Sequence, residues 1–264
     1  HGAYQLSING NRADDRELAP EFTLYEKYLC YQVYNVTSLL QEGHNAIGML
    51  VGDGWYDSKN FKSRDRKFKM EHAVLFETRI EYEDGTFETV LSDDKLKVAE
   101  SPVRSSDLFA GELYDAQMEQ EGWNCAGFDD GGWQNGILSG AYYDNLVVQY
   151  GEPVRPVKEV EAVGMEVSPK GETIIDFGQN LAGVLRVKVD LPAGTKLILD
   201  HFETKDSQGN YFNNIAGADM TGHTQTDVYI SNGKPAEYRP HFTYHGFRYV
   251  RVICDAPVKP EDFT

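Results

Sequence analysis

Apolar and polar residues alternate with a period of two along most of this chain, and the long 3.6-residue periodicity of helices is missing. The alternation, together with a few short apolar runs, predicts strands at residues 4–8, 28–36, 45–51, 73–82, 86–91, 145–150, 173–177, 184–189, 196–199, 226–230 and 249–253. Asn9-Gly10 and residues 83–85 are hairpin turn signals, and residues 36–43 predict one helical turn that ends at Gly43. Many short strands separated by turns predict an all-β fold, with two β-sandwich (jelly-roll-like) domains in tandem.

A proline-containing segment, residues 151–156, marks the predicted domain boundary. It holds Pro153 and Pro156, and two prolines so close together favour an extended connector. We therefore predict a first domain at residues 1–152 and a second at residues 153–264.

Charge and cysteine content narrow the classes of partner. The 264 residues include 25 Lys and Arg but 42 Asp and Glu, which gives a formal net charge of −17. Such a field repels phosphate backbones and anionic lipid surfaces, so we expect neither nucleic acid nor membrane as a partner, while neutral sugars and divalent cations stay open. No apolar run approaches the ~18 residues of a membrane span. The three cysteines, Cys30, Cys125 and Cys254, are far apart, which predicts buried thiols and leaves one disulfide open.

Two motifs of the second half carry a family resemblance. Residues 176–183 read Asp-Phe-Gly-Gln-Asn-Leu-Ala-Gly, and residues 242–250 read Phe-Thr-Tyr-His-Gly-Phe-Arg-Tyr-Val. The first half adds shorter fragments in a fixed order: residues 8–10, 18–20, Thr23, Tyr25, Tyr31, residues 54–56, 104–107 and 111–116. Jointly these segments resemble the N-terminal and second β-domains of bacterial α-L-rhamnosidases, glycoside hydrolase family 78.

The resemblance implies an architecture and a role. In such enzymes two β-sandwiches precede an (α/α)6 barrel that holds the acid and the base for hydrolysis of terminal α-L-rhamnosides with inversion. The helical periodicity of that barrel is absent here, and the chain opens inside a strand-like pattern without a signal peptide. We therefore expect a fragment, namely a non-catalytic accessory segment that supports the barrel of the same polypeptide and contacts rhamnose-containing glycans. A self-sufficient carbohydrate-binding protein is the alternative. Degradation of plant polysaccharides would favour a periplasmic or extracellular location, with the cytoplasm as the alternative.

Trp55 and Tyr56 are the first candidate residues for carbohydrate binding. They follow a predicted strand beside Asp53 and Asp57, and sugar sites combine an aromatic face with polar groups for the hydroxyls. The competing interpretation is packing: Trp55 plugs the end of the sandwich and Tyr56 covers it.

The second candidate group is an acidic and aromatic cluster. Its members are Asp107, Glu112, Tyr114 and Asp115. Carboxylates are hard ligands that suit calcium, and a module at this position in related enzymes can bind rhamnose with calcium, although no calcium-loop motif is present. No cofactor is required. The competing interpretation is that Asp107 and Asp115 cap turns while Glu112 pairs with Arg104.

Structural roles are predicted for the remaining conspicuous residues. Arg248 could hold a carboxylate, Asp176 or Glu203, by a bidentate pair of hydrogen bonds. The histidines lack the spacing of a recognised metal motif, which favours packing roles for His201, His223, His241 and His245.

Overall fold

The structure is a computed structural model that describes residues 1–25, 27–57, 71–140, 144–213 and 225–264. Across these ranges the chain is almost entirely strand and loop, which confirms the all-β class. Its helical residues lie in short 3₁₀ turns, Thr37–Leu39, Ala116–Met118 and Pro260–Asp262. None of the described helices is long and apolar enough to cross a membrane.

The strands are short, as the turn-rich sequence predicts. Those of the first half are β1 (Ala3–Ile8), β2 (Asn11–Arg12), β3 (Leu29–Tyr31), β4 (Ile47–Gly52), β5 (Glu77–Glu81), β6 (Phe87–Leu91), β7 (Lys97–Val98), β8 (Val103–Asp107), β9 (Gly111–Asp115), β10 (Gln134–Asn135) and β11 (Leu146–Val148). Those of the second half are β12 (Gly164–Val167), β13 (Thr173–Gly183), β14 (Val187–Val189), β15 (Lys196–Phe202), β16 (Thr204–Lys205), β17 (Tyr211–Phe212), β18 (Thr226–Ile230), β19 (Ala236–Tyr238) and β20 (His245–Ile253).

The first half is assembled from small sheets. Strand β1 lies between β2 and β4, and the β1–β2 turn at Asn9 and Gly10 has positive φ angles of 49° and 84°, as the Asn-Gly signal predicts. Separate two-stranded pairs join β5 to β6, β7 to β10 and β3 to β11.

A seven-stranded sheet in the order β12-β13-β20-β15-β18-β9-β8 dominates the second half. Strands β8 and β9 come from the first half of the chain. Strand β9 pairs with β18 in parallel and with β8 in antiparallel orientation. The sheet therefore spans both sides of the boundary predicted at residues 152 and 153, and that boundary stays a prediction.

The principal apolar core lies against one face of the seven-stranded sheet. Alternation along β15 sends Leu197 and Leu199 into this core, and Phe247 and Val250 of β20 join them. The β14–β19 pair contributes Val187 and other side chains from the opposite side, so the core is enclosed between two β layers.

Several predictions about local structure are wrong, in two cases because a strand forms only where a partner strand is available. The predicted strand at residues 28–36 forms only over Leu29–Tyr31, because its parallel partner Leu146–Val148 offers three residues. The hairpin of β8 and β9 was not expected, since its sequence is polar and its partner β18 is distant in the chain. The three cysteines are free, and Cys125 is exposed rather than buried.

Candidate functional site

The structure distributes the six predicted carbohydrate-binding residues between the two ends of the β8–β9 hairpin. Trp55, Tyr56 and Asp107 lie at the turn end, where the backbone N–H of Asp53 donates to the Ser106 hydroxyl at 2.9 Å. Glu112 follows the turn on β9, where it pairs with Ser106, and Tyr114 and Asp115 lie at the other end of that strand. Since β9 rises ~3.3 Å per residue, its two ends are on the order of 13 Å apart. The six residues therefore belong to two places rather than one.

Trp55 and Tyr56 belong to an aromatic cluster at the turn end. Trp55 makes edge-to-face contacts with Phe22 and Phe109, with ring centroids 5.9 and 6.0 Å apart, and both phenylalanines are partly exposed. Tyr56 is buried and stacks on the His1 ring at 4.6 Å. Tyr56 thus packs as a core residue, whereas the rings around Trp55 reach the surface.

Glycine is required where this loop leaves β4. Gly54 has a φ of 51°, and a Cβ atom at this position would lie 2.6 Å from the Cβ of Ala3. The close approach of the loop to β1 sets the position of Trp55, because any other residue would push the two strands apart.

Asp107 and Asp115 cap turns, as the competing interpretation of the acidic cluster predicts. The Asp107 carboxylate accepts from the backbone N–H groups of Phe109 and Ala110 at 2.9 and 3.0 Å. The Asp115 carboxylate accepts from the N–H of Gln117 at 3.0 Å. These hydrogen bonds account for the two carboxylates without a cation. They do not test calcium binding, which stays a prediction.

A small groove lies beside Tyr114 and is hereafter called the tyrosine groove. Its volume is about 250 Å³, and its lining residues are Gln5, Arg12, Tyr114, Glu119, Tyr229, Ala236, Glu237, Tyr238, Arg239 and His241. This volume is just below the roughly 300–1,000 Å³ of ligand pockets, so the groove could hold no more than a small ligand such as a single sugar ring. A much larger concavity of about 3560 Å³ lies mainly on the first half, and its size marks an open face.

Stacked rings form the floor of the tyrosine groove. The Tyr114 ring is nearly parallel to the rings of Tyr229 and His241, at centroid distances of 5.9 and 5.3 Å. Tyr229 and Tyr238 are almost completely buried, while Tyr114 and His241 are partly exposed. The accessible aromatic surface therefore belongs to Tyr114 and His241.

Glu112 lies behind this floor and holds it in place. Its buried carboxylate accepts from the backbone N–H and the Nδ1 of His241, at 2.9 and 3.1 Å, and from the Tyr238 hydroxyl at 3.4 Å. The pairing with Arg104 that the sequence suggested is wrong, because Arg104 bonds to Glu100 at 2.8 Å. Glu112 is thus a support for the groove rather than a group on its surface.

Tyrosine hydroxyls in the groove stay protonated as donors. Burial raises the pKa of Tyr114, and the hydrogen bond from its hydroxyl to Glu119 at 2.8 Å raises it further. Burial and then the charge of Glu112 raise the pKa of Tyr238 well above its ordinary value.

The rim of the tyrosine groove carries charged residues that hydrogen-bond to partners distant in the sequence. Glu17 accepts from Arg12 and from Arg239, each at 2.9 Å. Glu119 accepts from Asn232 at 3.1 Å as well as from Tyr114. An aromatic floor inside a rim of guanidinium and carboxylate groups has the chemistry of a site for a neutral polyhydroxylated ligand.

Sequence reasoning found Tyr114 but missed the residues that complete the groove. These residues are Tyr229 on β18, Tyr238 at the end of β19, and Arg239 directly after it. No local sequence signal associates them with β9. The bidentate Arg248–Asp176 pair, at 2.9 and 3.0 Å, was predicted and is confirmed. His223 lies outside the described residues.

Comparison with family models matches both halves of the chain. Residues 1–158 match the alpha-L-rhamnosidase N-terminal domain, and residues 166–264 match the bacterial alpha-L-rhamnosidase concanavalin-like domain.

Similar proteins are much longer than this chain. An alpha-L-rhamnosidase of Streptomyces avermitilis is 37% identical over 263 residues, which is 98% of this chain and 25% of the relative. The crystal structure of the S. avermitilis alpha-L-rhamnosidase complexed with L-rhamnose matches 99% of this chain and 25% of its own, with a TM-score of 0.90 and 35% identity. The alpha-L-rhamnosidase of Dictyoglumus thermophilum matches 99% of this chain and 29% of its own, with a TM-score of 0.88 and 34% identity. The chain spans about a quarter of the length of the relatives it matches.

Proposed function

Because this chain belongs to the bacterial α-L-rhamnosidase family, in its N-terminal and concanavalin-like domains, we propose that it is a non-catalytic accessory segment of a longer α-L-rhamnosidase. The full enzyme would hydrolyse terminal α-L-rhamnosides with an acid and a base that lie in a catalytic barrel of the same polypeptide. This segment would support the barrel and bind rhamnose-containing glycans. The proposal rests on the match of the two halves to the N-terminal and concanavalin-like domains of the family, combined with relatives about four times as long.

The tyrosine groove is the observation that carries the glycan-binding part. It offers the partly exposed ring of Tyr114 for the apolar face of a sugar, and Arg12, Glu119 and Arg239 for its hydroxyls. The aromatic surface around Trp55 is a second place with the same potential, but its described neighbours are mainly rings. Glu112 would position the groove through His241 without touching the sugar.

Calorimetric titration of the chain with L-rhamnose, run with calcium and then with a chelator, tests glycan binding. We expect saturable heat, and Tyr114→Ala should lower the affinity roughly twofold to tenfold, since contact with one aromatic ring contributes on the order of 0.5–1.5 kcal/mol. Tyr150→Ala is the matched control, because Tyr150 is 80% exposed and lies outside the groove. Loss of binding in Trp55→Ala but not in Tyr114→Ala would move the site to the turn end. A flat trace for the wild type in both conditions would refute binding.

Hydrolysis assays separate the accessory role from catalysis. The purified chain should not release the aryl group from aryl α-L-rhamnosides. Turnover that disappears on changing a single carboxylate would contradict the proposal. A self-sufficient carbohydrate-binding protein, the alternative, predicts binding of rhamnose with no affinity for a catalytic barrel.

An exposed apolar row on the edge strand β12 is the feature that favours contact with the barrel. Val163, Met165 and Val167 project from the same side and are 70, 43 and 69% exposed. Met165 pairs with the core residue Ile175, so this apolar row extends the core face beyond the edge of the sheet. Exposed apolar rows of this kind mark interaction surfaces.

Binding of the chain to the separately expressed remainder of the parent enzyme tests this surface. We expect Val163→Asp with Val167→Asp to weaken that binding at least tenfold while L-rhamnose binding at the groove is retained. The control is Val157→Asp, because Val157 is 96% exposed but lies outside the row. Equal binding by the double variant and the wild type would exclude the β12 face.

A further inference from the structure

Three buried polar residues meet inside the seven-stranded sheet. His201 lies on β15, Asp227 on β18 and His245 at the start of β20, and these strands are neighbours in the sheet. All three side chains are completely buried. One potential ligand atom from each lies within 4.8 Å of the others, and this is the only group of three or more such residues in the described part of the chain.

Hydrogen bonds fix where the protons of the two imidazoles lie. The Nδ1 of His201 is 3.0 Å from the carbonyl oxygen of Gln225, which can only accept, so Nδ1 carries the proton. The Nε2 of His245 is 3.2 Å from Oδ1 of Asp227, so in the same way Nε2 is the donor. The second nitrogen of each ring, Nε2 of His201 and Nδ1 of His245, makes no hydrogen bond to the described residues.

Three buried polar atoms of this group have no hydrogen-bond partner among the described residues: Nε2 of His201, Nδ1 of His245 and Oδ2 of Asp227. Two of them, on His201 and Asp227, are 3.8 Å apart. Buried polar atoms without partners destabilise a fold, and a bound metal ion is one group that would satisfy such atoms together.

The geometry points to a buried structural Zn²⁺ site formed by Nε2 of His201, Oδ2 of Asp227 and one ring nitrogen of His245. Two imidazoles and a carboxylate are a ligand set that zinc uses, and neutral histidine is the form that binds it. Ligand atoms around tetrahedral zinc lie roughly 3.3–3.5 Å apart, so side-chain shifts of about 1 Å would bring these three atoms to that spacing, and the fourth coordination position would be left to a further ligand such as water. The hydrogen bond from His201 to Gln225 is of the kind that orients metal-binding histidines.

The proposed ligands lie outside the tyrosine groove, since its lining residues do not include them. They are fully buried and come from three neighbouring strands, so the metal would clamp β15, β18 and β20 together. The N–H of Glu112 on β9 also donates to Asp227, at 2.9 Å, which connects the clamp to the hairpin from the first half. Sequence spacing could not reveal the site, because each strand supplies a single ligand.

Metal analysis of the whole 264-residue chain tests the site. The protein is stripped with a chelator, given excess Zn²⁺, desalted, and then measured for zinc content and melting temperature. We expect one zinc per chain and a higher Tm than in the stripped protein. His201→Gln and His245→Gln should bind zinc at least about 100-fold more weakly, while His44→Gln, at an exposed histidine, should behave as the wild type.

Spectroscopy of the wild type keeps the test decisive if a glutamine variant does not fold. Co²⁺ in the site should give the intense visible absorption of a tetrahedral centre, and X-ray absorption of the zinc form should show imidazole nitrogens at ~2.0–2.1 Å. The proposal is overturned if the wild type retains no zinc and melts at the same temperature with chelator and with excess Zn²⁺; a shared proton would then hold the cluster together. Zinc that binds equally well to both glutamine variants overturns it as well.

Discussion

Gly111 lies where the first half of the chain packs closely against β18 of the second, and Gly111→Ala tests how strongly that contact couples the two halves. Gly111 begins β9 with a φ of 110° and faces β18. A Cβ atom at this position would lie 2.0 Å from the carbonyl oxygen of Thr226 and 2.9 Å from Oδ1 of Asp227. The methyl group therefore meets backbone that cannot move without separating the strands.

The expected loss of stability has two parts. An L-residue held at positive φ costs about 1–2 kcal/mol. Forcing a methyl group into a packed interface adds about 1–3 kcal/mol. Gly111→Ala should thus lower the free energy of unfolding by about 2–5 kcal/mol. Gly85→Ala is the control, because Gly85 also has a positive φ of 83° but nothing lies within 4 Å of the added atom, so only the first part applies.

The position of the tryptophans supplies an assay for each half. The three tryptophans, Trp55, Trp123 and Trp133, all lie in the first half, so their fluorescence reports on that half alone. Far-UV circular dichroism reports on both. Urea titrations of the wild type should give coincident transitions by the two probes, since one sheet joins the halves. In Gly111→Ala the fluorescence transition should move to lower urea, ahead of the dichroism.

Either of two results would refute this reasoning. The first is a loss of stability in Gly111→Ala no larger than in Gly85→Ala, which would mean that the β9–β18 contact yields without penalty. The second is a wild type in which the two probes already separate, which would mean that the shared sheet does not couple the halves.

Three further variants test other parts of the structure. Asp176→Asn should lower stability at pH 7 by about 0.5–1.5 kcal/mol, because it removes the bidentate pair with Arg248 at a partly exposed site. The Arg248 hydrogen bonds hold the pKa of Asp176 below its ordinary value, so this stabilisation is complete above about pH 4–5 and is lost as the pH falls through the lowered pKa. The difference in urea midpoint between variant and wild type should therefore be smaller at pH 3 than at pH 7. Leu199→Ala, at a fully buried core position, should lower stability by about 2–5 kcal/mol in thermal unfolding, whereas Leu138→Ala, at a residue that is 73% exposed, should change it by less than about 0.5 kcal/mol. Glu112→Gln should lower stability by about 2–4 kcal/mol and weaken sugar binding at the tyrosine groove, because an amide places a donor where the carboxylate accepted; an unchanged urea midpoint would contradict the supporting role of Glu112.

The elements predicted correctly from sequence are those whose information is local. Asn9 and Gly10 form the predicted turn because positive φ angles suit these residues. Thr226–Ile230 is a strand with the predicted bounds, since its alternation matches one buried face. By contrast, residues 28–36 alternate throughout, but the strand that they form ends at Tyr31, where its partner strand also ends.

The candidate site was harder to predict because its parts come together only through distant pairing. Tyr114 stood out by its acidic neighbours, yet the ring on which it stacks, Tyr229, is placed opposite it by the parallel β9–β18 register. Glu112 was assigned a nearby arginine, but its donors come from His241, far along the chain. Short-range spacing cannot distinguish such partners among 42 acidic residues.

The hairpin that β8 and β9 add to the large sheet limits how this chain can be divided in protein engineering. A cut at residues 152 and 153 would remove β9 and leave the edge of β18, Thr226–Ile230, with unpaired backbone groups. An unprotected strand edge is a template for pairing between molecules, so the isolated second domain should self-associate into aggregates. Chimaeras that exchange one domain between family members must match the β9–β18 pairing across the joint, whereas transplanting both halves together preserves the sheet.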